Sequence, residues 1–181
     1  MALREILLVD NPILRQKAKK VRGLDASIQR LIDDMVETMD SAHGVGLAAP
    51  QVGQLIRVIV IHIPEQDPVA LINPQVVKRA GERILEEGCL SIPGWRGEVK
   101  RSVTVTVKAL NREGREVRIK ASEDLLAQAL EHEIDHLDGV LYIDRLTSPE
   151  KLWKLPPPGE EDSGSDEEAE PEPVGTVVSG L

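Results

Sequence analysis

The run His132-Glu133-Ile134-Asp135-His136 is the strongest chemical signal in the chain. Four residues on a helix turn through about 400°, so two imidazoles at this spacing share one face, roughly a turn apart, and can grip a single ion. Glu133 stands about 100° from His132, off the metal axis but within reach of a water activated there, which is the general-base arrangement of metal hydrolases. Two histidines do not complete such a site, because a catalytic centre of the zinc type takes three protein ligands. Downstream of Gly139 the candidates are Asp144, Glu150 and the acids of the tail. Upstream, Cys89 sits in Glu86-Glu87-Gly88-Cys89-Leu90-Ser91-Ile92-Pro93-Gly94, where glycines and a proline predict a loop with exposed backbone amides. Its thiolate is a good ligand, and a small buried hydrophobe is the competing reading. A third stretch, Gly44-Val45-Gly46-Leu47-Ala48-Ala49-Pro50-Gln51-Val52-Gly53, has neither the lysine of a phosphate-binding loop nor the three-glycine dinucleotide spacing. Its small side chains let backbone approach a ligand closely.

These residues need elements to hold them. From Asp25, an N-cap, the apolar residues Ile28, Leu31, Ile32, Met35, Val36 and Met39 predict a helix with one buried face that stops near Gly44. Strand signals follow at Arg57 to Ile63, Val69 to Ile72 and Val76 to Leu85, broken by Pro64, Pro68, Pro74 and Gly81. Val99, Val103, Val105 and Val107 keep a period of two, and Asn111 to Gly114 turns that strand into Arg115 to Lys120 as an antiparallel hairpin. Ser122 offers the N-cap of a second helix through Leu125, Leu126, Ala129 and Leu130, ending near Gly139. Strands in runs, not alternating with helices, favour α+β over a doubly wound sheet.

Charge divides the chain. The total is 22 Lys and Arg against 31 Asp and Glu, for a net charge of -9. Eight of those acids, from Glu160 to Glu172, fall in residues 156–181, which contain no Lys or Arg. The remaining 23 acidic and 22 basic side chains leave residues 1–155 nearly neutral, so the acidity belongs to a Pro/Glu/Ser-rich appendage that reads as disordered. The balance argues against a chain-wide nucleic-acid footprint, and no apolar run is long enough to span a bilayer. Arg4, Glu5 and Asp10 interrupt the place where a signal peptide needs an apolar stretch, and a single cysteine suits a reducing compartment, so a cytoplasmic location is expected.

Taken together and in this order, Gly44-Val45-Gly46-Leu47-Ala48-Ala49-Pro50-Gln51, Glu87-Gly88-Cys89-Leu90-Ser91 and His132-Glu133-Ile134-Asp135-His136-Leu137 resemble the three signature segments of the peptide deformylase family. The likeness runs from Leu3 to about Leu146 and includes Asn11-Pro12-Ile13-Leu14-Arg15. It implies a catalytic domain over residues 1–155 with a deformylase-like α+β fold, in which antiparallel strands and hairpins pack around a central helix carrying the His-Glu-x-x-His motif. It also implies a metallo-amidohydrolase that removes the formyl group from formylmethionine at the start of newly made polypeptides. One Fe2+ per chain would be the cofactor, with Zn2+, Ni2+ or Co2+ as substitutes. Nascent formylmethionyl peptides would be the partners and the ribosome a further candidate contact.

The resemblance makes Cys89, His132 and His136 the metal ligands and Glu133 the base and then the acid. It makes the Gln51 side-chain amide and the Leu90 backbone N–H the oxyanion donors, and gives Gly46 backbone hydrogen bonds to an extended peptide. Glu131 stands where many relatives have glutamine, and points away from the 132/136 face. On the helix, Leu125 and Gln128 or Ala129 precede His132 on its face and would wall a methionine pocket, with Val45 and Leu85 as further candidates. Arg96 is a candidate support for the cysteine segment, and His43 and His62 match no ligand position. Two rivals remain: a general metallopeptidase with Asp144 or Glu150 as third ligand, and a metal-stabilised binding module without turnover.

Overall fold

The computed structural model describes residues 2–156, so the acidic stretch read as disordered lies, from Pro157 onward, outside the described residues. The fold is α+β. Strands β1 (Gly46–Ala48), β2 (Val58–Ile61), β3 (Val69–Ala80), β6 (Thr104–Leu110) and β7 (Glu116–Ser122) form one antiparallel sheet in the order β1-β2-β3-β6-β7. Strands β4 (Arg83–Cys89), β5 (Ile92–Arg101) and β8 (Leu152–Lys154) form a second, in the order β4-β5-β8. Two α-helices, α1 (Ala26–Ser41) and α2 (Leu125–Leu137), complete the frame.

Period-two alternation explains how both helices are held. Along β2 every residue is buried: Val58 and Val60 join the cluster containing Leu31, Ile32, Met35 and Met39 of α1, while Ile59 and Ile61 join the cluster containing Ala127, Leu130, Ile134 and Leu137 of α2. Successive side chains on a strand point to opposite faces, so the five-stranded sheet carries α1 on one face and α2 on the other. A third cluster, formed by Leu14, Ile92, Val99, Leu141 and Tyr142, lies under the smaller sheet.

The expected α1 is present, and Asp25 caps it by accepting from the Ser27 and Ile28 N–H groups. Other boundaries differ from the sequence reading. The strands expected at Val69–Ile72 and Val76–Leu85 are instead one long β3, which shifts register across Pro74, between Ile72 and Gln75, and again between Val76 and Lys78, followed by a separate β4. Proline lacks an N–H for the ladder and is tolerated at such irregularities. Gly81, with φ of 69°, then turns the chain out of the first sheet into the second. The valine run from Val99 to Val107 is likewise split, because β5 ends at Arg101 and β6 begins at Thr104 in the other sheet. Glu131 holds this second crossing: its carboxylate accepts from the Ser102 N–H at 2.8 Å and the Ser102 hydroxyl at 2.9 Å, and pairs with Arg79. It therefore does face away from the histidines, into a buried structural role.

The cap of α2 is Asp124, which accepts from the Ala127 N–H at 2.7 Å, and not Ser122, whose hydroxyl pairs across the sheet with Thr104. Replacing Asp124 by Ala is expected to lower stability by about 1 kcal/mol, and Ser122→Ala by less than about half of that, in chemical denaturation.

Candidate metal centre

Cys89 closes β4 and is paired in register with Ile92 across the two-residue turn Leu90–Ser91, so the expected loop is the tip of a hairpin. The hairpin tip faces α2, and the Cys89 Sγ lies 3.3 Å from the His136 Nε2. One ligand atom from each of Cys89, His132 and His136 falls within 4.8 Å of the other two. A cysteine sulfur and two imidazoles are a donor set that would suit zinc or ferrous iron. Glu133 lies beside them, buried, with its Oε2 lacking a hydrogen-bond partner among the described residues. An unpaired buried carboxylate oxygen is costly in a purely structural role, so the residues present fit a metal-dependent reaction centre. Burial pushes Glu133 up to about 7 and holds His136 well below the usual histidine range, in the neutral form that a ligand requires.

Behind the ligands runs a buried ionic chain that the sequence reading did not anticipate. His132 Nδ1 lies 2.8 Å from Glu87 Oε2, which turns its other nitrogen toward the ligand cluster. Glu87 receives a two-pronged pair from Arg101 at 2.7 and 2.9 Å, and Arg101 reaches Asp135 at 2.6 Å. Asp135 is in turn held by Arg145 at 2.8 and 3.1 Å. Burial alone would raise Glu87, but the Arg101 and His132 hydrogen bonds outweigh it and hold the carboxyl at about 2. A signal for this chain did exist in the sequence. Glu87 stands two residues before Cys89 and Asp135 sits inside the His132–His136 helical motif, and an acid buried beside either demands a cation. The support proposed for Arg96 is supplied by Arg101, and Arg96 stands exposed at the rim of the cleft.

A cleft of about 450 Å³ opens onto the ligands. It brings together Val45, Gly46, Gln51, Cys89, Leu90, Leu125, Gln128, Ala129, His132 and Glu133, residues from all three sequence segments. Gln51 is clamped: its Oε1 accepts from the Ala48 N–H at 2.8 Å, which aims the amide nitrogen at Ser91 Oγ (3.1 Å) and Cys89 Sγ (3.6 Å). Gly46 passes so close to Glu133 that a Cβ there would sit 2.4 Å from Oε1. Leu85 is packed in the third core cluster, apart from the cleft lining. His62 pairs with Asp40, and His43 lines the cleft without joining the ligand group. Asp144 is engaged by Arg15 and the Leu141 N–H, and Glu150 lies in an exposed turn, so neither supplies the third ligand of a metallopeptidase. Tyr142, unremarked in the sequence, stacks on the His132 ring at a centroid distance of 6.2 Å.

A hairpin cysteine opposite a His-Glu-x-x-His helix, in an α+β frame, is the arrangement of a metal-dependent hydrolase. Comparison with known proteins narrows the class. The family model described as polypeptide deformylase matches residues 3–152. A peptide deformylase of Dehalococcoides mccartyi (strain CBDB1) is 53% identical over 161 residues, covering 88% of this chain and 96% of the relative. One from Thermomicrobium roseum is 50% identical over 169 residues, covering 89% and 96%. The crystal structure of a Legionella pneumophila peptide deformylase superposes with a TM-score of 0.79 at 47% identity, covering 83% of this chain and 89% of that one. That of Synechococcus elongatus in complex with actinonin gives 0.79 at 42% identity, covering 82% and 81%. The chain belongs to the polypeptide deformylase family, metal-dependent hydrolases that remove the N-formyl group from nascent peptides.

Arg101→Met leaves Glu87 and Asp135 as buried acids with reduced compensation, and is expected to cost about 3–5 kcal/mol in denaturant unfolding near neutral pH. Because Glu87 is lowered from 4.5 to about 2, its contribution is fully present above about 4.5 and lost as pH falls toward about 2. The gap between wild type and variant should therefore narrow over that acid window.

Proposed function

We propose that this chain deformylates formylmethionyl peptides with Cys89, His132 and His136 as ligands to one divalent ion and Glu133 as the proton carrier. The observation that carries this reading is the convergence of the three ligand atoms within 4.8 Å, with the unpaired Glu133 carboxylate buried beside them. The thiolate and imidazole donors suit Fe2+ as the working ion in the cell, with Zn2+, Ni2+ or Co2+ as substitutes. Bound there, the ion lowers the pKa of water and polarises the formyl carbonyl.

The side chains supply the rest. Glu133 takes a proton from the attacking water as its oxygen bonds to the formyl carbon. It then returns that proton to the amide nitrogen as the C–N bond breaks, giving formate and a free α-amine. A carboxyl lifted to about 7 by burial is well placed to take and return a proton near neutral pH. The clamped Gln51 amide and the Leu90 backbone N–H are the donors to the developing oxyanion, each worth about 10²–10³ in rate. Val45, Leu125, Gln128 and Ala129 receive the methionine side chain in the cleft, and the Gly46 backbone bonds the peptide main chain.

Helix α2 is then the element around which the site is assembled. It brings His132, Glu133 and His136 against the hairpin that carries Cys89. A cytoplasmic location and contact with nascent chains at the ribosome follow from the substrate, and among the described residues no helix is long and apolar enough to cross a membrane.

Formate release from a formyl-Met peptide, by anaerobically prepared iron or nickel enzyme, tests this. Glu133→Gln should retain fold and one ion per chain while losing about 10²–10⁴ in kcat. Cys89→Ser should lose metal content as well as turnover. Retained metal and activity in Cys89→Ser would overturn the ligand assignment, and unchanged turnover in Glu133→Gln would overturn its catalytic role.

A further inference from the structure

We propose that a second cleft, on a different face of α2 from the metal centre, binds a phosphate-class oxyanion through Arg79, Lys100 and Arg145. The cleft has a volume of about 480 Å³ and shares no lining residue with the one that opens onto Cys89 and His132. Glu131 and Asp135 line it from α2, about one turn apart, and each fixes a guanidinium. Arg79 is held by Glu131 at 3.0 Å, and Arg145 by Asp135 at 2.8 and 3.1 Å. Lys100 comes from strand β5, next to Arg101, which is buried and also lines the cleft.

Donors and acceptors identify the charge of the ligand. Both oxygens of Asp135 already accept, from Arg101 and Arg145, and both oxygens of Glu131 accept, from Arg79 and from the Ser102 hydroxyl and N–H. The buried acids therefore have little left to offer a cation. The guanidinium groups keep donors unused: among the described residues Arg79 bonds through Nε alone, and Arg145 through Nε and one terminal nitrogen. Arginine carries five N–H groups in a planar fork that matches the edge of a phosphate. The lining holds four cations against three acids, and the third acid, Glu82, is an exposed partner of Lys100 at 3.0 Å. Exposed pairs of this kind contribute little, so Lys100 can turn to a bound anion. A concave site whose unused groups are all donors on cations selects an anion, and its volume admits a small phosphate ester as well as the free ion.

Isothermal titration calorimetry of full-length nickel-loaded enzyme tests the site, with inorganic phosphate in one arm and glycerol 3-phosphate in the other, at an ionic strength held constant with NaCl. One anion per chain is expected to bind, and to bind about tenfold more weakly in Lys100→Gln and in Arg79→Gln, each of which removes one charged donor. Whichever arm binds more tightly says whether the ligand is the free ion or an ester. Saturable binding that Lys100→Gln leaves unchanged places the anion elsewhere, as at the metal, and overturns the site. So does a lack of saturable binding in both arms. Arg79 also supports Glu131, so Lys100→Gln, whose side chain is exposed, decides the matter if Arg79→Gln does not fold. Binding is read directly and not through turnover, so the result is independent of the deformylase reading.

Discussion

The buried guanidinium of Arg101 is the interaction on which the rest of the structure depends. It is 3% exposed in its side chain and stands between two carboxylates, Glu87 of β4 and Asp135 of α2. Each is a charge that the interior tolerates only when paired and hydrogen-bonded. Because Glu87 also holds His132, the one cation fixes three things at once: the β4–β5 pairing, the docking of α2 on the smaller sheet, and the orientation of an imidazole at the metal centre. The geometry of the candidate centre thereby becomes a consequence of charge pairing between the β4–β5 hairpin and a helix whose Asp135 lies 34 positions from Arg101 along the chain.

The hydrophobic frame supplies what this ionic chain cannot. Strand β2, buried on both faces, sets the separation of α1 and α2, and the α2 side of that core presses Leu130, Ile134 and Leu137 toward the sheet. On a helix, that leaves His132, Glu133 and His136 on the surface facing the Cys89 hairpin. Two of the places where the chain crosses from one sheet to the other, Gly81 and Ser102, are each pinned. Gly81 is pinned by a positive φ that side-chain-bearing residues rarely adopt, and Ser102 by the Glu131 carboxylate. The helix that carries the candidate metal residues therefore also anchors the crossing from the second sheet back to the first.

Much of this was legible in the sequence where the signal is local. Helix α1 follows from its cap and apolar period, and the hairpin between β6 and β7 from its valines and turn. The metal motif follows from the spacing of its histidines. Strand ends were less legible, because the valine period continues through the crossing at Ser102 and conceals the change of sheet. The α2 cap was misplaced because Ser122 and Asp124 are both good caps, and only the cross-strand partner Thr104 shows that Ser122 is engaged elsewhere. Cys89 as third ligand was not decidable from its own surroundings and entered through resemblance. The ionic support was missed because Arg101 is separated from Glu87 by 14 positions and from Asp135 by 34, with no periodicity linking them.

That the Arg101–Glu87 pair positions His132 as a ligand is the central claim, and the metal affinity of Glu87→Gln tests it most directly. Competition of a chelator for bound Zn2+, in wild type and variant at one pH, is the measurement. Glutamine keeps the shape of Glu87 and loses the charge that orients the imidazole, so a 10–100-fold weaker affinity in a folded variant is predicted. An unchanged affinity would show that His132 is held in place by packing alone and would contradict the account.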